Sequence, residues 1–499
     1  MLSVFAGLLL AACGGDDDNG GSATATQTTA GSTSSAASPT GATTGIPAPG
    51  SAGIASHKIA LAGLNDVEID EGWAMFAHRD ASEKRTGVTD DSIKICRPVS
   101  LTGAGAVWGS TNTVFQEEIK RLNDAGGIFG RKIDLVIKDD ASSPAQAAQV
   151  VHELIEQEGC FMIFAAPGTG IHNSFLPYLT ENNVPDFNAF VGGVYIGEPG
   201  VPNATSGSAS GLLAGFVLGS YIYDQNPNAK VAIIYQDDDT GRGQLHSLQA
   251  AAAAHGAQLV ATQSFQPAPA DLSSEVQAIV DSGATDLYAY AIGADWPKIA
   301  IALRDNAGSD IRLFDPGGQS VSSADLLGDR INGLVSAVNE AYPYTATGNA
   351  AVQAVNQLVT GAGGTVGGFA VLYGQTGIEN LFRALACAGP DLTRESFIEA
   401  VNGGCFDGSW KCSVCLGPAV ITPEDRWMAE TYMFQQWDSA AKSWKQIKEP
   451  KSFETSFGDS VRGNIEGYKC SDSLPCPWKD QSCTPDNSNR CAWKSVFER

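Results

Sequence analysis

The sequence predicts an α/β protein made of two doubly wound parallel-sheet lobes, with a cysteine-rich C-terminal tail. Three observations carry this. From Ser92 onward, short apolar strands alternate with helical patterns, the signature of a parallel sheet covered on both faces. There are more such strand–helix units than one small sheet needs. The last thirty residues then change character. Cys470, Cys476, Cys483 and Cys491 stand there among Pro, Asp, Asn and Ser, too little apolar content for a core without disulfides.

The elements follow in order. Ile93 and Ile95 alternate with polar neighbours, as in a strand. Val114, Phe115, Ile119 and Leu122 recur at helical spacing and stop at Gly126-Gly127. Ile133, Leu135 and Ile137 alternate again. Ser143-Pro144 opens a helix with Val150, Val151, Leu154 and Ile155 on one face, ended by Gly159. Phe161 to Ala165 is a continuous apolar strand. The scheme repeats with strand 231–235, helix 243–254, strand 259–265, helix 272–281, strand 287–292 and helix 297–306.

The chain has 499 residues, of which 43% are hydrophobic, enough for two or three domains and a substantial core. After the first residues no apolar run reaches the ~18 residues of a spanning helix. With 31 basic and 55 acidic residues the formal charge is −24, which argues against nucleic acid or anionic lipid as a partner. The 11 cysteines include a C-x-x-C at Cys412 and Cys415, but the six histidines are scattered. No zinc or other metal site and no cofactor is expected. The sequence has no G-x-S-x-G, H-E-x-x-H or P-loop. Asp139 and Asp140 are adjacent on a strand, so they point to opposite faces. Catalysis is therefore not expected.

At the N-terminus, Leu10-Ala11-Ala12-Cys13 follows a short apolar run and precedes Gly14-Gly15-Asp16-Asp17-Asp18. This resembles a bacterial lipobox. Cleavage would remove residues 1–12 as a signal peptide and leave Cys13 to carry lipid, tethering the chain outside the cytoplasm. The stretch before Leu8 has no Lys or Arg, a departure consistent with a start further upstream. Residues 13–56, rich in Gly, Ser, Thr and Ala, read as a flexible stalk reaching roughly 35 Å. Residues 57–91 form an extension of unassigned fold, and 451–499 form the disulfide-rich tail.

Several stretches in order carry a family resemblance. They are Gly87-Val88-Thr89-Asp90-Asp91-Ser92-Ile93-Lys94-Ile95, Leu101-Thr102-Gly103 with Trp108-Gly109, and Asn123-Asp124-Ala125-Gly126-Gly127-Ile128-Phe129-Gly130-Arg131. Asp139-Asp140 with Pro144-Ala145-Gln146-Ala147 follows, then Tyr235-Gln236-Asp237-Asp238-Asp239-Thr240-Gly241. Together they resemble the branched-chain amino acid (Leu/Ile/Val-binding) type of ABC-importer substrate-binding protein. The resemblance implies a type I periplasmic binding protein fold, two lobes joined by three hinge crossovers that close on a ligand. Lobe 1 would hold 92–207 and 340–418, and lobe 2 would hold 208–339 and 419–450. The implied function is a lipid-anchored extracytoplasmic protein that captures a small organic ligand and delivers it to an importer permease. The alternative is a sensing clamp acting through a separate signalling chain.

In open parallel sheets, ligands sit beyond the carboxyl ends of the strands. The candidate ligand residues there are Trp108, Gly168, Thr169, Val191 and Gly192 from one lobe. Thr240, Asp295, Trp296, Asp315 and Gly317 face them from the other. Gly168 and Thr169 match the resemblance's carboxylate-binding position, and Trp108 its aromatic wall. Asp237, Asp238 and Asp239 read as a solvated strand end. Two departures stand out. Glycine at Gly192 or Gly193 replaces a ligand hydroxyl, and Gly317 replaces the carboxylate that pairs with an amino-acid ammonium. Leucine, isoleucine and valine are thus expected to bind weakly, and a carboxylate, amide or aromatic compound better. With strand order 2-1-3, Cys96 and Cys160 lie on neighbouring strands and are expected to pair. Cys387, Cys405, Cys412 and Cys415 are expected to pair among themselves, as are the tail cysteines.

Overall fold

The computed structural model describes residues 57–61, 66–69, 85–193, 196, 201–422 and 425–453. Cys13, the stalk and the four tail cysteines lie outside them. An antiparallel pair, β1 (His57–Ala60) and β2 (Asp66–Ile69), precedes the main body. The first large sheet then contains β3 (Ser92–Val99), β4 (Lys132–Asp139), β5 (Met162–Phe164), β6 (Asp186–Ala189) and β7 (Ala204–Ser206). All pair in parallel, in the order β4-β3-β5-β6-β7.

The second sheet holds β8 (Val231–Gln236), β9 (Ala261–Phe265), β10 (Asp286–Tyr290), β11 (Arg312–Asp315) and β12 (Val335–Asn339), followed by β13 (Thr431–Asp438) and β14 (Ser443–Ser452). Its order is β14-β13-β12-β11-β10-β8-β9. The strands β8 to β12 are parallel, but β13 and β14 run antiparallel at one side. The two parallel-sheet lobes are as expected, with an antiparallel hairpin added at the edge of the second sheet. A short return from Asp438 to Ser443 is a hairpin, and a hairpin can only make antiparallel neighbours.

The predicted helices form where the pattern placed them, with local chemistry at their ends. Ser143 caps helix Pro144–Glu156 by accepting from the Gln146 N–H, and Asp238 caps helix Asp239–Ala254 by accepting from the Gly241 N–H. Helix Gly211–Gln225 is apolar nearly all round because it is sandwiched. Gly215 and Gly219 let it approach helix Asp239–Ala254: a Cβ on Gly215 would stand 2.2 Å from Ser247 Oγ. Residues 350–405 fold into further helices that pack Val355, Leu381, Phe382 and Phe397 into one core with Ile95, Phe115 and Phe164 of the first sheet.

Three disulfides are present among the described residues: Cys96–Cys160, Cys387–Cys405 and Cys412–Cys415. The first joins β3 to the residue two before β5, with Cα atoms 5.9 Å apart. The last closes a tight loop beside the end of β12. There the Leu416 N–H donates to the Glu340 carbonyl (2.9 Å), and Tyr342 N–H to the Val414 carbonyl (2.9 Å).

Candidate functional site

The carboxyl ends of the two sheets face each other across a cavity of about 60 Å³, room for a few waters. Trp108, Gly168, Thr169, Phe190 and Gly192 come from the loops after β3, β5 and β6. Thr240, Tyr290, Gly317 and Gln319 come from the loops after β8, β10 and β11, and Glu340 and Tyr373 complete the wall. A second chamber of about 350 Å³ shares Trp108, Gly168, Thr169 and Ile292 with the first and opens past Ser142, Pro167 and Asp237. Hollows of about 330 and 470 Å³ run along the β14 side, where Tyr221 and Lys448 line both. They lie away from the strand ends.

The loop after β3 is held down by the adjacent acids. Asp139 accepts from the Leu101 N–H (2.8 Å) and the Thr102 hydroxyl (2.7 Å), and the Thr102 hydroxyl chiefly holds its carboxyl below the usual carboxylate range. Asp140 accepts from the Ser100 hydroxyl (2.6 Å), although burial raises its pKa overall. The short helix at 106–110 then delivers Trp108 into the wall, 6% exposed. Trp108 stacks on Phe190 with ring centroids 5.9 Å apart and meets Phe369 edge-on at 4.6 Å. Tyr373 closes the cluster, 4.8 Å from Trp108 and 4.9 Å from Phe190. Burial pushes the Tyr290 and Tyr373 phenols well above their ordinary range, so both remain neutral donors.

Two side-chain hydrogen bonds join the sheets' loops at one edge. The Thr169 and Thr240 hydroxyls are 2.8 Å apart, and Asn173 Nδ2 donates to Asp239 at 2.6 Å. Across the cavity, Gln319 hydrogen-bonds the Tyr373 phenol. Gly192 fits beneath Thr240 only because it lacks a side chain. A Cβ there would stand 2.7 Å from Thr240 Cγ2 and 3.2 Å from the Ala209 carbonyl.

Of the ten residues singled out in the sequence, the structure gathers Trp108, Gly168, Thr169, Gly192, Thr240 and Gly317 around the cavity. Asp295 lines only the second chamber, where it accepts from the Ala268 N–H (2.8 Å) and pairs with Lys298 at 2.7 Å. Val191 lies in the core beside Leu212. Trp296 is fully buried within lobe packing and donates its Nε1–H to the Ala289 carbonyl at 3.2 Å. Asp315 is buried too. It accepts from Ser320 N–H and Oγ at 2.9 and 2.5 Å and from Ser336 Oγ at 3.1 Å, and burial pushes its pKa up to about 6. Nor is Asp238 solvated: it is buried in its capping role, with Gln236 Nε2 donating to it at 2.7 Å and burial raising it to about 6.

Sequence reasoning missed Glu340. It is the residue after β12, 5% exposed, and its backbone is left-handed with φ +67°. A non-glycine residue there is strained, a condition that gathers at functional sites. Burial pushes its carboxyl up to about 8, even though Ser208 and the Ala209 N–H hydrogen-bond it. No motif marks such a residue, because its burial comes from the crossover. Phe190 and Tyr373 were also missed. A buried aromatic at a strand end reads as core until the second sheet is placed opposite.

Two α/β lobes whose strand ends meet at one cavity, with hydrogen bonds spanning it, define a two-lobed clamp of the periplasmic binding protein type. The comparisons agree. The family model described as "Periplasmic binding protein" matches residues 92–442, and the chain belongs to that family, in its type I form. The Leu/Ile/Val-binding protein homolog 1 of Brucella abortus (strain 2308) is 24% identical over 242 residues, 48% of this chain and 64% of that one. The chain thus spans just under two thirds of that relative's length. A solute-binding protein of an ABC transporter from Rhodopseudomonas palustris BisB5, in complex with 3,4-dihydroxybenzoic acid, superposes with TM-score 0.65. It is 20% identical and covers 74% of this chain and 100% of its own. A branched-chain amino acid ABC transporter protein from Thermus thermophilus with bound valine superposes at 0.62, with 18% identity, covering 75% and 99%. The family implies an extracytoplasmic location. Among the described residues no helix is long and apolar enough to cross a membrane.

Proposed function

We propose that this chain is a lipid-anchored solute-binding protein that closes on a small organic ligand and presents it to an ABC importer permease. The observation that carries the reading is the Thr169–Thr240 contact over a cavity lined from both sheets. A cavity of about 60 Å³ holds only a few waters, so a solute enters when the lobes part and is retained when they meet. The hinge is assigned to the crossovers near 207, 339 and 418, which divide lobe 1 (92–207 and 340–418) from lobe 2 (208–339 and 419–450). Trp108, Gly168, Thr169, Gly192, Thr240 and Gly317 are the ligand contacts, and the protein carries out no chemistry on its cargo. The valine and dihydroxybenzoate of the two structural neighbours are solutes of the size this reading requires. The lipobox-like N-terminus supports anchoring by Cys13, and the family supports delivery to a permease. Native mass spectrometry of gently purified protein tests the reading. A single small molecule released on unfolding supports it, and protein that binds nothing from a broad solute library removes it.

A further inference from the structure

Neither chamber between the sheets is lined by a Lys, Arg or His. Four acids line them: Asp237, Asp238, Asp295 and Glu340. Three of these are already engaged. Asp237 pairs with Arg242 at 2.7 Å, Asp295 with Lys298 at 2.7 Å, and Asp238 caps a helix. Glu340 alone among them has no cation near it among the described residues, and its Oε2 has no hydrogen-bond partner there. It also lines a side cavity of about 10 Å³, room for no more than one water. The wall around it is aromatic, with Trp108, Phe190, Tyr290 and Tyr373 on the same cavity. An acid without a counter-ion beside several ring faces is the environment that attracts a cationic nitrogen.

Building on the solute-binding reading, we infer that the ligand carries a protonated nitrogen and that Glu340 is its counter-ion. The role that an acid at position 317 would have played is thereby moved to the hinge crossover. Gly317 could not easily host that acid, since its φ of +141° suits only glycine. This inference runs against the expectation that amino acids bind weakly.

The inference has a consequence in protons. Burial holds the Glu340 carboxyl up to about 8, so at neutral pH it is protonated before binding. An arriving ammonium favours the carboxylate, and the proton leaves to solvent. The other groups facing Glu340 do not compete for it. Tyr373 and Tyr432 are pushed far up and stay neutral, Glu430 lies across the side cavity, and Asp315 is held by Ser320 and Ser336.

Matched probes test this: isoamylamine carries only the ammonium, 4-methylpentanoate only the carboxylate, and leucine both. Calorimetry at pH 6.5 in buffers of different ionisation enthalpy should show leucine or isoamylamine binding with release of about one proton, falling to almost none near pH 9. Glu340→Gln keeps the shape of the protonated acid, and should weaken the amines at least tenfold and abolish the proton release. Tighter binding of 4-methylpentanoate than of either amine, or amine affinity unchanged in Glu340→Gln, overturns the inference. Should none of the three bind, a thermal-shift screen of paired cationic and anionic solutes decides. Hits confined to solutes without a protonatable nitrogen overturn the counter-ion role, whereas no hit in either class overturns the solute-binding reading itself.

Discussion

The hydroxyls of Thr169 and Thr240 meet at 2.8 Å, one placed by the loop after β5 and the other by the first turn of the helix after β8. The contact is buried at both ends and spans the two sheets, so it exists only when the lobes are together. Thr240→Val keeps the volume and removes the hydrogen bond. A typical buried hydrogen bond contributes about 1 kcal/mol, so ligand affinity should fall about fivefold. Small-angle scattering should show a larger radius of gyration for the variant at sub-saturating ligand.

Gly192 tests the same closure from the other side. With a Cβ 2.7 Å from Thr240 Cγ2, Gly192→Ser should prop the lobes apart. Overpacking costs about 1–3 kcal/mol, or roughly fivefold to 150-fold in affinity. Adding Thr240→Ala removes the colliding methyl and should restore part of the loss. Titration calorimetry on the single and double variants checks both statements.

Glu340, Asp238 and Asp315 share one pH behaviour. Their folded-state pKa values are raised by burial, to about 8, 6 and 6. The unfolded chain therefore releases these protons first, and stability falls as pH climbs from about 4 to about 8. Ligand-free protein should unfold at a lower urea concentration at pH 8 than at pH 5. In Glu340→Gln the part of the decline between pH 6 and 8 should disappear.

The Cys96–Cys160 bridge closes a loop with a sequence separation of 64 residues. In the chain-entropy account such a loop contributes about 4 kcal/mol. The Cys96→Ala/Cys160→Ala variant should lose stability of that order in urea while keeping the far-UV spectrum of the folded protein. Peptide mapping of the unreduced protein should recover the two cysteines joined.

For the anchor, Cys13→Ser should move the protein from the membrane fraction to the soluble one. Metabolic labelling with a palmitate analogue should mark the unaltered chain and not the variant.

Much of the fold was legible because buried parallel strands are written as short apolar runs between glycines and caps. Strands β3, β4, β5, β8, β9 and β10 fall where alternation or apolar runs placed them. Helix Gly211–Gln225 was not legible, since a helix buried on all sides has no stripe to read. The hairpin of β13 and β14 was missed because Gln435, Gln436, Lys445 and Lys448 interrupt its apolar positions. In the site, strand-end loops were readable and crossovers were not. Trp108 and Thr169 sit beside recognisable turns, whereas Glu340 owes its surroundings to residues some 130 positions earlier, at Ser208 and Ala209. Trp296 follows a strand end and so reads as a site residue, but packing placed it in the core.

The small loop between Cys412 and Cys415 lies against the same crossover, joined through Leu416 N–H to the Glu340 carbonyl. Closing so short a loop adds little chain entropy, so its effect is local, on the backbone beside Glu340. That effect depends on an oxidised pair of thiols, which a reducing cytosol does not sustain. On the solute-binding reading, competence to capture cargo would be acquired only where that pair is oxidised.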